Sequence, residues 1–222
     1  MNSTKTAART AGLLYVLASI PGIFGLLYVP SRLVVRGDAA ETARRILAAP
    51  TLFRAGIVAD LLGQAAFIVV AFALYRLLKG VARPLAALMV VLLVVQIPLA
   101  YAAEVHRLDV LDILDSAGPA AAQRGMMSLA SWDNAMLVTE IFMGLWLFPM
   151  AILIWRSGFL PRFLGVLLFV AGLAYLADTL TWLLLPAYGH AVGGIAGKLR
   201  PLELAMPLWL LIMGAKDRPL AD

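Results

Sequence analysis

The sequence RAGIVADLLGQ, residues 54–64, decides how this chain folds. It lies within residues 52–78, an apolar run long enough to cross a bilayer, and yet it contains Asp60. A carboxylate on such a helix is costly unless it faces a partner, a cavity or water. Helical spacing places Gly56, Asp60 and Gln64 on one stripe, at i, i+4 and i+8. We therefore predict that this stripe faces protein and not lipid.

The composition is that of a membrane protein. The chain has 222 residues, of which 63% are hydrophobic and 14% charged, and its mean hydropathy is +0.92. A soluble domain carries roughly a quarter charged residues. No polar block is long enough to fold separately, so we expect one integral membrane domain over residues 1–222. The fold class predicted is all-α, a polytopic bundle of six transmembrane helices.

Apolar runs place these six helices at about residues 11–29, 52–78, 84–103, 134–155, 163–185 and 199–214. The first run is too long for a signal peptide and has no cleavage site after it, so it is expected to stay as a helix, with a kink at Pro21. The last run is short for a full span.

Three connections between the helices have recognisable patterns. Asp38 and Glu41 stand three residues apart, like a capping box, and predict a short surface helix that Pro50 stops. Residues 104–133 form the longest polar connection, in which alternating Leu and Asp suggest a helical extension at the surface that ends at Gly118. The glycines of residues 189–197 match no phosphate-binding spacing and predict a flexible loop.

The basic residues bear on topology and partners. The net charge of +5 comes from 18 basic residues that lie mostly beside apolar segments, so it does not indicate nucleic acid. With a cytoplasmic N-terminus, nine of the 18 would be inside and nine outside. The inner ones are concentrated in short connections at helix ends, where they count most. We therefore expect both termini to be cytoplasmic and the protein to lie in the inner (plasma) membrane.

Several stretches resemble a known family. They are GLWLFP at residues 144–149, RSGFLPRFLGVLL at 156–168, AGLAYLAD at 171–178, FRAG at 53–56 followed by Asp60, and LYRLL at 74–78. In these the chain resembles the bacterial membrane family called domain of unknown function 4386. The resemblance implies a multi-helix membrane fold and brings no activity, substrate or cofactor with it. The stretches that carry the resemblance do not include Glu140.

The depth of the acids can be compared along the predicted helices. Asp60 and Glu140 stand the same number of residues before the interfacial aromatics Tyr75 and Trp155, and Asp178 lies at a similar height on its own helix. All three come out level, in the outer third of the bilayer. The sequence therefore predicts an outward-facing polar pocket lined by Asp60, Gln64, Glu140, Tyr175, Asp178 and Glu203, with Arg54 and Arg200 beside it.

Such a pocket has a functional and a structural interpretation. Grouped acids in a low dielectric cannot all be ionised, so at least one should hold a proton or bind a cation. Alternatively, the acids snorkel to the outer water, or pair with Arg54, Arg200 and Tyr175 as contacts between helices.

Catalytic sites have less support. Glu104, His106 and Asp109 are the candidate metal ligands, but zinc catalysis generally needs three good ligands and a base. The chain contains no cysteine, which excludes disulfides, thiolate metal sites and cysteine nucleophiles. Ser128 and Ser131 have no histidine placed to activate them. We predict no catalytic residue and no cofactor.

The function expected from these observations is a small cation- or proton-coupled carrier, or a membrane protein that binds a small molecule or a cation. The lipid bilayer is the expected environment and partner. One alternative is a membrane-embedded enzyme acting on a lipid, which would need His106, Glu104 or a pocket acid for turnover. The other is a structural or regulatory partner of a second membrane protein, which would need that partner to co-purify.

Overall fold

The computed structural model describes residues 4–116, 118 and 120–216, and all the regular secondary structure in these ranges is helical. Short π and 3-10 segments join several of the helices. The α-helices in the described ranges are α1 Thr4–Gly22, α2 Val29–Leu33, α3 Ala39–Ala48, α4 Pro50–Leu78, α5 Arg83–Asp115, α6 Ala121–Leu145, α7 Leu147–Ser157, α8 Arg162–Leu184, α9 Gly189–Leu199 and α10 Ala205–Ile212.

Among the described residues, five continuous helical runs are long and apolar enough to cross a membrane: Thr4–Leu33, Pro50–Leu78, Arg83–Asp115, Ala121–Ser157 and Arg162–Leu184. The protein is therefore an all-α, multi-pass membrane protein. The predicted count of six is not confirmed, because residues 199–214 contain a 3-10 segment, Arg200–Leu204, and only a short helix, α10. Pro201 and Pro207 lack the amide hydrogens that a long regular helix uses.

The predicted polar connection at residues 104–133 is mostly helix. Helix α5, the third predicted span, continues to Asp115. Helix α6, the fourth, begins at Ala121, well before residue 134. The leucines of the Leu/Asp pattern explain the difference, because Leu111 and Leu114 are buried against Ile46 and other apolar residues. The pattern was correctly interpreted as helical. Its acids and Leu108 are exposed, as expected of a surface helix, whereas Leu111 and Leu114 pack into a core.

The predicted flexible loop at residues 189–197 is also wrong, since it forms helix α9. Its glycines serve close packing against α8. A Cβ at Gly189 would lie 2.7 Å from the ring of Trp182, and one at Gly193 would lie 3.1 Å from Asp178 Oδ1. Glycine here lets two helices approach each other, which outweighs its poor helix propensity.

The capping prediction is confirmed at α3. Asp38 Oδ1 accepts a hydrogen bond from the backbone N–H of Glu41 at 2.9 Å. The helix ends before Pro50, which becomes the first residue of α4. It is only partly a surface helix, because Thr42, Ala43 and Ile46 are buried.

The first helical run changes its geometry next to Pro21. Residues Ile23–Tyr28 form a π-helical segment between α1 and α2, and the N–H of Val29 donates to the carbonyl of Phe24. Proline removes a backbone donor, and a wider turn is one way for a helix to accommodate it. π segments occur frequently at functional sites.

The chain divides into two compact units that are interleaved in sequence. The first unit comprises Met1–Leu17, Phe67–Gln96 and Val138–Asp222, and the second comprises Ala18–Ala66 and Ile97–Leu137. Each unit contains a cluster of charged side chains, buried in the second unit and partly exposed in the first. The expectation of one domain over residues 1–222 stays a prediction.

Candidate functional site

The charged cluster of the second unit is built around a buried arginine. This Arg107 cluster comprises Asp60 on α4 together with Glu104 and Arg107 on α5. Arg107 Nη1 donates to Asp60 Oδ2 at 2.5 Å and lies 3.2 Å from Glu104 Oε2. All three side chains are buried. Glu104 and Arg107 stand at i and i+3, so one helix presents both to Asp60.

Two aromatic rings enclose the Arg107 guanidinium. Its central carbon lies 5.2 Å from the ring centre of Trp132 and 5.5 Å from that of Phe53. The indole N–H of Trp132 also donates to Glu104 Oε1 at 2.8 Å. Cation–π contacts are strongest when the cation is desolvated. The rings therefore help to hold a charge that has lost its water.

Glycines make the room that this cluster occupies. A Cβ at Gly25, in the π-helical segment, would lie 2.4 Å from Asp60 Oδ1. A Cβ at Gly56 would lie 2.9 Å from Arg107 Nη2. Gly56 and Asp60 are buried and Gln64 is half-buried, so the stripe of residues 54–64 does face protein.

A small cavity adjoins the carboxylates of this cluster. Its empty volume is about 200 Å³, including space open to its surroundings. Next to Asp60, the hydroxyl of Tyr101 donates to the carbonyl oxygen of Leu61 at 2.8 Å. The residues that line the cavity are Leu26, Asp60, Leu61, Gln64, Ala100, Tyr101, Glu104 and Met136.

The first unit contains a second charged cluster, the Arg200 cluster, which comprises Arg200, Glu140 and Asp178. Arg200, in the 3-10 segment after α9, donates from both terminal nitrogens to the two carboxylate oxygens of Glu140, each at 2.9 Å. Its Nη2 also donates to Asp178 Oδ2. The guanidinium carbon lies 4.8 Å from the ring centre of Tyr175, whose hydroxyl donates to Glu203 Oε1 at 3.1 Å. Helices α6 and α8 and the segment after α9 thus share one cation.

Comparison with known proteins gives the family. The model of the family described as domain of unknown function (DUF4386) matches residues 10–214. The chain belongs to the DUF4386 family. It is also 35% identical over 78 residues to an uncharacterised protein of Archaeoglobus fulgidus, a match that covers 34% of this chain and 44% of that protein. The chain thus spans less than half the length of this relative. No solved structure matches the present chain.

The DUF4386 turn at residues 156–162 has a clear local structure. Ser157 Oγ accepts the backbone N–H of Leu160 at 3.2 Å, and Gly158 has a φ of 67°, which glycine adopts without strain. A Cβ at Gly165 would lie 2.8 Å from the carbonyl oxygen of Ala151. The motif therefore builds a tight hairpin between α7 and α8, and α8 carries Asp178.

The residues predicted to line one pocket fall into both clusters of this DUF4386 protein. Asp60 and Gln64 belong to the second unit. The structure brings together Glu140, Asp178 and Arg200 in the first unit, with Tyr175 and Glu203 beside them. That all of these line one shared pocket stays a prediction.

Sequence analysis missed the partner of Asp60. It named Arg54, Arg200 and Tyr175 as possible partners of the acids as a set, but Arg54 is exposed and forms no ion pair within the described part of the chain. The partner is Arg107. The spacing Glu104-x-x-Arg107 at the end of an apolar run is the signal in the sequence that indicates this pair. Gly25 had no signal in the sequence at all, because only its contact with Asp60 distinguishes it.

The candidate metal ligands are not brought together. Glu104 is buried against Arg107 and Trp132, whereas His106 Nδ1 lies 4.0 Å from Asp109 Oδ2 and both side chains are well exposed. Across residues 4–116, 118 and 120–216, no three His, Cys, Asp or Glu side chains lie close enough to hold a metal ion. On a helix, residues two apart point in different directions.

Proposed function

We propose that this protein is a small proton- or cation-coupled carrier that uses its buried carboxylates as exchange groups. One observation carries the proposal: each cluster sets two carboxylates against a single guanidinium. Asp60 and Glu104 share Arg107, and Glu140 and Asp178 share Arg200. With both acids ionised, either cluster holds one uncompensated negative charge.

An uncompensated carboxylate in a low dielectric costs several kcal/mol, roughly, even after the surrounding protein relaxes. Uptake of a proton or a monovalent cation removes that cost, and release restores it. The cluster therefore has two states of different charge, as ion-coupled transport requires. A cluster with equal numbers of acids and arginines would have no such reason to take up an ion.

The Arg200 cluster has the access that exchange needs. The Arg200 side chain is 21% exposed and that of Glu140 is 19% exposed. Asp178 Oδ1 and Arg200 Nε have no hydrogen-bond partner among the described residues. Of these two atoms, Asp178 Oδ1 could accept an incoming proton or cation without first breaking a contact within the cluster.

The clusters also favour the proposed orientation, with both termini in the cytoplasm and the protein in the inner membrane. Arg107 and Arg200 were both assigned to the outer side, and both are ion-paired to acids. Basic residues that are neutralised within the bundle do not act as free loop charges. Setting them aside leaves seven outer against nine inner basic residues of the 18, which agrees with the positive-inside rule.

The proposal is tested by proton movement in proteoliposomes that contain a trapped pH-sensitive dye. A sodium gradient, or a potassium diffusion potential set with valinomycin, is imposed across the vesicle membrane. The protein should change the internal pH faster than protein-free vesicles do. Asp178→Asn and Glu140→Gln should abolish the difference while the protein still elutes as a single folded species.

Asp112→Asn is the matched control, because Asp112 is an exposed acid on α5 outside both clusters. It should leave the pH change intact. A wild-type protein that behaves like empty vesicles under both gradients contradicts the carrier. So does an Asp178→Asn variant as active as the wild type.

A further inference from the structure

We infer that residues 189–212 cross the membrane as a sixth span, in the form of a broken helix. The segment consists of α9, the 3-10 segment Arg200–Leu204 and α10, which have 11, 5 and 8 residues. Together these pieces extend about 38 Å, more than the roughly 30 Å of a hydrocarbon core. The last span predicted from the sequence began only at residue 199. The inference goes beyond the proposed function and does not depend on it.

The two ends of this segment lie at opposite ends of α8. Helix α8 is one of the five runs long and apolar enough to span, and its 23 residues extend about 35 Å. Near the C-terminal end of α8, a Cβ at Gly189 would lie 2.7 Å from the ring of Trp182. At its N-terminal end, the backbone N–H of Lys216 donates to the carbonyl oxygen of Phe159 at 3.1 Å. Since α8 crosses the membrane, a segment that joins its two ends must cross as well.

The segment also contacts α8 between these two ends. Three pairs of side chains mark its course, and the first member of each pair is on α8: Asp178 with Arg200, Tyr175 with Glu203, and Phe163 with Trp209. The ring centres of the last pair are 5.3 Å apart. Residue numbers fall along α8 while they rise along the segment. This is the register of two antiparallel neighbours.

Helix α1 packs against the last part of the segment. A Cβ at Gly12 would collide with the backbone of Leu211, so the two helices need glycine here to approach each other. Arg9 Nη2 donates to the carbonyl oxygen of Ile212 at 3.2 Å and thereby satisfies an acceptor in the last turn of α10. The helical run that contains α1 is itself a candidate span, beginning at Thr4. The segment therefore ends beside the first turns of that span.

The charges of the segment fit a course through the membrane. Its charged side chains are those of Lys198, Arg200 and Glu203. Arg200 is paired with acids on α6 and α8, and Glu203 accepts a hydrogen bond from Tyr175. Side chains on a helix lean toward its N-terminus, so Lys198 can extend along α9 toward the membrane surface at Gly189.

The break in the helix lies where protein covers it. Non-helical backbone is tolerated at membrane depth only where it is buried in protein or lines a cavity. The 3-10 segment Arg200–Leu204 contacts α8, and its arginine bonds to two carboxylates. Arg200 is then a charge inside the membrane and not a charge of an outer loop. Carriers place binding sites at such breaks, and the Arg200 cluster has that position.

The test is labelling of single cysteines, because the chain contains none of its own. Three exposed positions are used: Ala187 before α9, Arg156 near the end of α7 and Lys216 after α10. Each cysteine variant is reacted with a membrane-impermeant maleimide in sealed vesicles of either orientation. Arg156→Cys and Lys216→Cys should react in one orientation and Ala187→Cys in the other. Reaction of Ala187→Cys and Lys216→Cys from the same side overturns the inference.

A second measurement examines the middle of the segment. Ile195 and Leu208 are 63% and 47% exposed on the protein surface, and in a span they face lipid. The thiolate is the reactive form of cysteine and is disfavoured in apolar surroundings. In permeabilised vesicles, Ile195→Cys and Leu208→Cys should therefore react roughly tenfold or more slowly than the control Ala187→Cys. Labelling after denaturation gives the total thiol of each variant. An Ile195→Cys variant as reactive as Ala187→Cys overturns the crossing, since α9 would then lie in water.

Discussion

The two charged clusters have the same composition but differ in how deeply they are buried. In the Arg107 cluster, the side chains of Arg107, Asp60 and Glu104 are 2%, 5% and 6% exposed. In the Arg200 cluster, Arg200 and Glu140 are 21% and 19% exposed. The difference indicates that the Arg107 cluster is enclosed by protein, whereas the Arg200 cluster is partly accessible to its surroundings.

The clusters also differ in how the arginine is held. Arg107 shares a helix with Glu104 and lies against Trp132 and Phe53. Arg200 comes from a 3-10 segment and contacts both carboxylate oxygens of Glu140, one of Asp178 and the ring of Tyr175. A cation fixed on a long helix between rings is more constrained than one on a short segment.

The largest difference in stability between the two clusters is expected when the arginine of each is replaced. Arg107→Met leaves two buried carboxylates without their cation and should lower the free energy of unfolding by about 3–5 kcal/mol. Arg200→Met should cost clearly less, because its partners are partly solvated. Thermal unfolding in detergent micelles measures both. Adding Asp60→Asn to Arg107→Met should recover part of the loss, and equal losses for the two single variants would remove the distinction between the clusters.

Replacing the glycines beside Asp60 and Asp178 should give a smaller difference in stability between the two clusters. Gly25→Ala places a Cβ 2.4 Å from Asp60 Oδ1 and should destabilise the protein by about 1–3 kcal/mol. Gly193→Ala meets Asp178 Oδ1 at 3.1 Å, and the better helix propensity of alanine offsets part of that clash. The same unfolding measurement applies.

Gly22→Ala is the control for this pair, because a Cβ there meets nothing within 4 Å. It should be neutral or slightly stabilising. If Gly25→Ala behaves like Gly22→Ala, the close contact between the π-helical segment and Asp60 is not a constraint on the fold.

The smallest effect on stability is expected at an exposed charged cluster in which one acid pairs with two arginines. Glu41 pairs with Arg44 and Arg45 on α3, so one acid meets two cations. The hydrogen bonds from Arg44 and then Arg45 lower the pKa of Glu41 from 4.5 to about 2. A lowered pKa means that the pairing stabilises α3 above pH 4.5 and that this contribution is lost as the pH falls through 2.

NMR titration of the Glu41 side-chain carboxyl carbon checks this directly. Glu41→Gln should change the unfolding temperature less than Gly25→Ala does, since surface ion pairs contribute little. A Glu41 pKa near 4.5 would show that the arginines do not pair with it in solution.

Local patterns in the sequence predicted the local structure well. The Asp38 cap depends on residues three apart, and the protein-facing stripe of Gly56, Asp60 and Gln64 depends only on helical period. A change of helix geometry next to Pro21 is expected because proline has no backbone N–H to donate. The family resemblance at residues 156–168 is likewise confirmed by the match to the DUF4386 family model.

Predictions that depended on tertiary contacts between distant residues were less accurate. Gly189 and Gly193 were assigned to a loop because their spacing matches no phosphate-binding motif. Only their closeness to Trp182 and Asp178 shows why glycine is used in helix α9. The alternating Leu and Asp after residue 104 predicted a helical extension at the surface, and only the fold shows that Leu111 on that extension packs into a core.

The sequence by itself determined that this is an all-α membrane protein with acids inside its spanning helices, because hydropathy, helical period and the cost of a charge in lipid act on each segment separately. Only the tertiary structure decided that Arg107 neutralises Asp60 and that Arg200 joins Glu140 to Asp178. These pairs join residues 47, 60 and 22 positions apart. Such a contact depends on how whole helices pack, and no local pattern encodes it.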